Sequence, residues 1–297
     1  MLCEKALTPF AREQHDTIES HNMKGTGWDE NKRIRYYGSS GPVVILLHGG
    51  PAAYGDLGDM ASNLVDSFRV IEPWQRASGD TPLTVDIHIQ DLHNLVTLKC
   101  PDKPPAIVGH SWGAMLALCY AAAYPDRTGP IALVGCGTFD NESRMRMKEI
   151  FDERMDPETR LKVKNLEVEL DDPGERLVEK YKIIGRLQEY EHIPRENVKE
   201  QPFDKRAHRE TWDDMVRLMN EGVYPATFAS IKTPVIMLHG SYDPHPGEMI
   251  YSNLKEHIPQ LEYCEFDKCG HYPWREKHAS ESFYHVLRNW LVEKSVL

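Results

Sequence analysis

Short runs that are apolar at every position alternate along this chain of 297 residues with longer helix-compatible segments. Uniformly apolar runs are typical of parallel strands that helices cover on both faces. Their alternation with helices predicts an α/β fold with a mostly parallel, doubly wound sheet. The predicted strands are 33–38, 42–50, 68–73, 105–110, 129–137, 233–241 and 261–271, and the predicted helices are 56–67, 84–98, 112–124, 245–257 and 276–293.

The first two predicted strands, 33–38 and 42–50, flank a Gly-Ser-Ser-Gly-Pro turn. Strands joined by a short glycine-containing turn commonly form a hairpin. We therefore expect these two strands to pair antiparallel at one edge of the sheet.

Residues 140–220 interrupt the alternation. Asp, Glu, Lys and Arg occupy 38 of these 81 positions but only 43 of the other 216, and no buried-strand run occurs among them. Amphipathic patterns that include Tyr181 and Trp212 favour packed helices over a disordered linker. The predicted organisation is an α/β core formed by 1–139 and 221–297, with an inserted helical cap at 140–220.

Composition limits the partners of the chain. A net charge of −11 disfavours binding to nucleic acid or to anionic membranes. Residues 1–16 lack the apolar segment of a signal peptide, and no apolar run approaches the ~20 residues that span a bilayer. The six cysteines include no Cys-x-x-Cys pair, which favours reduced thiols. We expect a cytoplasmic protein, and the sequence predicts no oligomeric state.

A Gly-x-Ser-x-Gly pattern lies where the strand 105–110 meets the helix 112–124. It consists of Gly109, Ser111 and Gly113 with two intervening residues. A serine at such a turn has a strained backbone and needs neighbours without side chains. The turn lifts the hydroxyl clear of the sheet, beside the free N–H groups at the start of the helix. Ser111 is therefore the predicted nucleophile.

A serine nucleophile needs a base, and the base needs an acid to orient it. Asp243 follows the strand 233–241, and His271 ends the run 261–271. Catalytic groups of α/β sheets gather beyond the carboxyl ends of the strands, and the order Ser, Asp, His is the one associated with this kind of turn. Ser111, Asp243 and His271 are the predicted catalytic triad.

The loop His-Gly-Gly-Pro at 48–51 follows the second predicted strand. Attack on a carbonyl creates an oxyanion, and each backbone donor aimed at it contributes about 3 to 4 kcal/mol. The N–H of Trp112, next to the nucleophile, is one predicted donor. The second comes from Gly49 or Gly50, since a bare backbone can approach closely, and we favour Gly50.

Together these motifs resemble the α/β-hydrolase superfamily and, more narrowly, the proline iminopeptidase family. The resemblance runs through about 30–137 and 225–295. The sequence departs from the family at Ala52, where a glycine is usual, and at Trp74, where an aspartate is usual. The motifs that carry the resemblance are HGGP at 48–51, WQRASG at 74–79, GHSWG at 109–113, HGSYD at 239–243 and CGHYPWRE at 269–276.

The resemblance implies a serine hydrolase that acts through an acyl-enzyme, most specifically an aminopeptidase for small peptides or amino-acid amides. Such peptidases hold the α-ammonium of the substrate with carboxylates of the cap. No cap residue here matches those carboxylates by motif. Glu189, Glu191, Asp213 and Asp214 qualify by location and charge, and a solvated helix face is the competing role for each.

Other functions stay open at this point. A carboxylesterase or lactonase for small acyl esters fits the same triad, and a non-catalytic hydrolase-fold binding protein is a further alternative. His88, Asp91 and His93 are spaced too loosely to indicate a metalloenzyme, and no His-Glu-x-x-His is present. Neither a dinucleotide fingerprint nor a Walker loop occurs, so no cofactor and no metal is expected. The predicted partner is a small molecule or short peptide as substrate.

Overall fold

The computed structural model describes residues 33–52, 57–194 and 203–295. Within them, seven strands form one sheet in the order β1-β3-β2-β4-β5-β6-β7. Neighbouring strands are parallel except β1 and β3. The prediction of a mostly parallel sheet is confirmed. The strands are β1 (Ile34–Tyr37), β2 (Val43–Leu47), β3 (Arg69–Pro73), β4 (Ala106–His110), β5 (Ile131–Val134), β6 (Val235–Gly240) and β7 (Leu261–Phe266).

Helices cover both faces of the sheet, as expected for a doubly wound fold. Successive strand residues point to opposite faces, so Ile45 and Leu47 join one apolar cluster while Val44 and Leu46 join another. Helices α2, α3 and α8 pack in the first cluster, and α1 and α9 in the second. The α-helices of the described residues are α1 (Gly58–Ser62), α2 (Val85–Lys99), α3 (Trp112–Ala123), α4 (Asn141–Arg154), α5 (Pro157–Glu169), α6 (Pro173–Ile184), α7 (Lys205–Asn220), α8 (Gly247–His257) and α9 (Ser280–Ser295).

The expected antiparallel pair of β1 and β2 is wrong. β1 pairs antiparallel with β3, and β2 lies between β3 and β4 with parallel neighbours on both sides. The physical reason is burial: Val44 to Leu47 are fully buried, whereas all four residues of β1 are only half-buried. Strand β2 therefore belongs inside the sheet and β1 at its edge. The turn between them crosses the start of β3, where a Cβ on Gly41 would overlap the carbonyl of Ser67.

Four helices, α4 to α7, lie in the segment 140–220 that the sequence assigns to the cap. Each begins after an aspartate whose carboxylate accepts a backbone N–H three residues later, which satisfies a donor left free at the helix start. In the described part of this segment the only strand-like contact is an isolated bridge between His192 and Glu276. The capping aspartates are Asp140, Asp156, Asp172 and Asp204.

Helix α7 joins the segment that the sequence assigns to the cap to the predicted core. The carboxylate of Asp204 accepts the backbone N–H of Ser78 at 2.8 Å, and Glu210 accepts that of Leu83 at 2.8 Å. These bonds span more than 120 residues of sequence, so the cap is fixed to the loop that precedes α2.

In the described ranges no helix is both long and apolar enough to cross a membrane. The cysteines there are free thiols, as predicted. They are Cys100, Cys119, Cys136, Cys264 and Cys269. Cys3 and the N-terminal segment 1–16, on which the prediction of no signal peptide rests, lie outside the described residues.

Candidate active site

Ser111 occupies a strained turn between β4 and α3. Its backbone has φ 53° and ψ −117°, a conformation that costs a non-glycine residue on the order of 1–3 kcal/mol. The backbone N–H of Ser111 donates to the carbonyl of Val134 at 2.9 Å, which ties the turn to the carboxyl end of β5. The serine is half-buried, whereas its neighbours His110 and Trp112 are buried.

Gly109 and Gly113, on either side of Ser111, lie so close to neighbouring backbone atoms that a side chain would not fit. A Cβ on Gly109 would overlap the carbonyl of Gly113, and a Cβ on Gly113 would overlap the carbonyl of Leu47 in β2. A Cβ on Gly49 would lie 3.2 Å from the Cβ of Ser111. The start of α3 therefore sits directly against the end of β2, and the loop after β2 sits against Ser111.

His271 and Asp243 form a buried hydrogen-bonded pair. Nδ1 of His271 lies 2.6 Å from Oδ2 of Asp243, and both side chains are at most 4% exposed. Asp243 follows β6 and His271 follows β7. A Cβ on Gly135, next to the residue that binds the Ser111 N–H, would lie 3.1 Å from Nδ1 of His271. The three predicted triad residues therefore surround the carboxyl end of β5.

Burial and charge set the protonation of this pair. Burial lowers the pKa of His271 below its usual 6.5, against the opposing attraction of Asp243. Burial tends to raise the pKa of Asp243, but its electrostatic interactions with His271, His245 and His239 and the hydrogen bond from His245 outweigh burial and hold that pKa well below its usual value. Near neutral pH the carboxylate is therefore ionised and the imidazole is neutral, as a general base requires.

His245, which the sequence analysis did not single out, contacts the same carboxylate. Its backbone N–H and its Nδ1 lie 2.9 and 2.8 Å from Oδ1 of Asp243. Its ring stacks on that of His271, with centroids 4.5 Å apart and planes at 19°. The Asp-Pro-His sequence allows this local bond, but sequence alone does not indicate the stacking.

Ligand atoms of Asp243, His245 and His271 lie within 4.8 Å of one another. A metal bound to both imidazoles must lie close to both ring planes, about 2 Å from each nitrogen. Two nearly parallel rings stacked at this spacing share no such point. The geometry therefore fits hydrogen bonding to the carboxylate and does not fit a metal ion.

Gln75, within the WQRASG motif, joins the two predicted oxyanion segments. Its Nε2 donates to the carbonyl of His48 at 2.9 Å, and its Oε1 accepts from Nε1 of Trp112 at 2.8 Å. Its backbone N–H donates to Nε2 of His48 at 2.9 Å. Gly50 has φ 117°, which favours glycine. The loop that carries Gly50 and the residue Trp112 are therefore tied together by one buried side chain.

The four candidate cap carboxylates have different surroundings in the structure. Glu189 is half-buried beside Gln188, whose carbonyl accepts the backbone N–H of His271 at 2.8 Å, and burial raises the pKa of Glu189. Glu191 is exposed and pairs with Lys277 at 2.6 Å. Of the four, only Glu189 is both close to the His271 loop and shielded from solvent.

The other two candidates lie on α7. Asp213 is exposed. Asp214 accepts the backbone N–H of Val85 at 2.9 Å and pairs with Arg217 at 2.7 Å. Asp214 therefore caps α2 and has little acceptor capacity left for a ligand.

Glu276 is a second buried carboxylate beside His271. It is 0% exposed and accepts three backbone N–H groups, from Gly270 at 2.9 Å, Tyr190 at 2.8 Å and Glu191 at 2.7 Å. These bonds join the cap segment to the loop that carries the histidine. Their partners lie up to 86 residues away in sequence, so the motif CGHYPWRE gave no signal for this role.

His88, Asp91 and His93 lie in α2, and each has a different structural partner. Nε2 of His88 lies 2.9 Å from Oγ1 of Thr211, and Asp91 pairs with Arg76. His93 stacks on Tyr124, with centroids 3.8 Å apart. These side chains point to different neighbours and do not converge.

Comparison with known proteins supports the fold. A family model described as alpha/beta hydrolase fold matches residues 42–167. The cis-3-alkyl-4-alkyloxetan-2-one decarboxylase of Shewanella oneidensis is 23% identical over 283 residues, 86% of this chain and 84% of that protein. Lipase LipV of Mycobacterium tuberculosis is 27% identical over 117 residues, 38% of this chain and 44% of that protein.

Among solved structures, a proline iminopeptidase of Mycobacterium smegmatis matches with a TM-score of 0.58 at 18% identity. The match covers 89% of this chain and 95% of that one. A likeness at this identity establishes the fold and leaves the substrate open. The seven-stranded sheet, its flanking helices and the family model that matches residues 42–167 show that the chain has the α/β-hydrolase fold.

Proposed function

We propose that the protein is a serine hydrolase that cleaves small carboxylic esters through an acyl-enzyme. The observation that carries this proposal is the strained turn of Ser111 beside the buried His271–Asp243 pair. Strain of this kind persists only where the surroundings enforce it, and it is concentrated at reactive sites.

The reaction follows from the hydrogen bonds. An ionised carboxylate only accepts, so Nδ1 of His271 carries the proton and Nε2 is free to act as a base. Nε2 takes the Ser111 proton while Oγ bonds to the acyl carbon, and the oxyanion lies against the N–H groups of Trp112 and Gly50. The C–O bond then breaks, and the departing alkoxide takes the proton from His271.

Water completes the cycle. It gives a proton to His271 and bonds to the acyl carbon, after which the acid leaves and Ser111 recovers its proton. Two relatives support an ester as substrate: one is named a lipase, and the other is named as a decarboxylase of an oxetan-2-one, which is a cyclic ester. A lactone is therefore a reasonable second ester class to assay.

The test uses the purified protein with a fluorophosphonate probe and with p-nitrophenyl acetate and butyrate. We expect the probe to modify Ser111 and the esters to be hydrolysed. Replacing Ser111→Ala should abolish labelling and lower kcat by roughly 10³-fold or more. Labelling and turnover that persist in this variant would refute the proposal, and a folded wild type that neither labels nor turns over would favour a binding protein.

Aminopeptidase activity is the second candidate, and the position of Glu189 favours it. The half-buried carboxylate of Glu189 lies beside the His271 loop, and its ion-pair contact is His192 at 3.5 Å, whereas the exposed Glu191 is paired with Lys277 at 2.6 Å. A cationic amine of a substrate would displace only the longer contact. The assay compares proline p-nitroanilide with its N-acetyl derivative. An aminopeptidase should lose most activity on acetylation.

The matched variants are Glu189→Gln and Glu191→Gln. If Glu189 holds the ammonium, Glu189→Gln should raise KM for the amide about tenfold or more and leave KM for the acetate ester unchanged. Glu191→Gln should change neither. Equal hydrolysis of the free and acetylated amides would exclude this candidate and leave the esterase proposal intact.

A further inference from the structure

Asp243 accepts hydrogen bonds from two imidazoles, although a catalytic triad requires only one. Oδ2 accepts from Nδ1 of His271 at 2.6 Å, and Oδ1 accepts from Nδ1 of His245 at 2.8 Å. Because an ionised carboxylate has no proton to give, both Nδ1 atoms carry hydrogen. The two rings therefore hold the same tautomer and approach opposite oxygens of one carboxylate.

The backbone around His245 is fixed as well. Its N–H donates to Oδ1 of Asp243 at 2.9 Å. Its carbonyl accepts from Nε2 of His239, 2.8 Å away and 0% exposed. His239 also lies 3.4 Å from Oδ2 of Asp243. Both ends of residue 245 are thus held, so its ring has a defined position over the catalytic pair.

The ring of His245 also restricts the ring of His271 by stacking on it. The ring of His245 lies nearly parallel to that of His271, with centroids 4.5 Å apart and planes at 19°. The ring of His110 also contacts that of His271, with centroids 4.7 Å apart and planes at 53°. A ring packed against two others cannot rotate freely about its bond to the backbone.

We propose that His245 is a positioning residue of this site: it holds Oδ1 of Asp243 and lies flat on the His271 ring, so that Oδ2 and the imidazole stay aligned. The role rests on the hydrolase function proposed above. It acts through Asp243 and His271, and His245 itself contacts no reacting atom.

The arrangement also affects the basicity of His271. Burial is the main cause that lowers the pKa of His271, Asp243 opposes it, and the nearby imidazole of His245 lowers that pKa further. Other ionisable groups face the cluster from every surrounding element, and substitution of His245 leaves all of them in place. They are His110 beside Ser111, His239 in β6, Glu265 in β7, Arg275 in the His271 loop and Arg154 in α4.

The test compares His245→Ala with His245→Asn. Asparagine places an N–H donor where Nδ1 stands but cannot stack or take a proton, whereas alanine removes both features. We expect His245→Ala to lower kcat for a p-nitrophenyl ester roughly 10- to 100-fold with KM little changed. The acid limb of its pH profile should move to higher pH, because a contribution that lowers the pKa of His271 is removed. His245→Asn should recover most of kcat.

His285→Ala is the matched control, since His285 is exposed on α9 and its recorded contact is with Asn289. A His245→Ala variant with wild-type kcat and an unmoved acid limb would overturn the proposal. So would equal losses in the alanine and asparagine variants with an unmoved limb, because that outcome indicates a structural role only.

A second measurement does not depend on turnover. Proton NMR of the wild type should contain two slowly exchanging, far-downfield imidazole N–H signals, from His271 and His245. In the His245→Ala variant, the N–H signal of His245 should be absent and that of His271 should move to a different chemical shift. A single such signal in the wild type would contradict the proposal. Failure of the fluorophosphonate probe would instead refute the hydrolase function, whereas the NMR signals would still show whether both imidazoles donate to Asp243.

Discussion

At the scale of single residues, the site depends on side chains that bring distant loops together. Gln75 is buried and joins the carbonyl of His48 to the indole N–H of Trp112. Both partners belong to segments that carry predicted oxyanion donors. The alignment of those donors therefore depends on a residue that itself has no predicted contact with substrate.

Replacing Gln75→Leu tests this dependence. Leucine has a similar size but removes the hydrogen bonds to the His48 carbonyl and to Trp112 Nε1. A buried polar group that loses its partner costs about 1–3 kcal/mol. We expect a lower free energy of unfolding in urea and a fall in kcat of roughly tenfold or more, since the oxyanion donors lose their alignment.

The control for this change is Gln90→Leu, because Gln90 is exposed and bonds only to Tyr124 among the recorded contacts. It should leave both kcat and stability near wild type. If Gln75→Leu behaves like Gln90→Leu, the proposed coupling of the two loops is absent.

At the scale of elements, the sequence predicted the features that depend on residues close together in the chain. Uniformly apolar runs located the strands, and the glycines around Ser111 located the turn, because both signals lie within a few residues. The pairing of β1 failed because β3, its partner, lies more than 30 residues away and the turn suggested the nearer strand. Glu276 was missed for the same reason, since its acceptor role depends on Tyr190 and Glu191 in the cap.

At the scale of the whole molecule, buried neutral histidines make stability depend on pH. Burial lowers the pKa of His48 and of His88 to about 4. In the unfolded chain a histidine has a pKa near 6.5. Between these values the unfolded state binds more protons, so the free energy of unfolding rises with pH in this window and falls as pH drops from about 6.5 towards 4.

Urea unfolding at pH 7, 6 and 5 measures this effect. Each of the two histidines should contribute a loss on the order of 2 kcal/mol by pH 5. In His88→Gln, which keeps a polar atom near Thr211, the loss between pH 7 and 5 should be smaller than in wild type. A free energy of unfolding that stays constant over this range would contradict the prediction.

The three bonds of Glu276 have a mechanical consequence. The backbone around Tyr190 and the loop that carries His271, the proposed general base, are bonded to the same carboxylate, so we expect them to move together. Opening of the predicted cap at this point would then displace the imidazole and stop the proposed reaction at Ser111. Under the proposed mechanism we therefore expect substrate to enter at another side of the predicted cap.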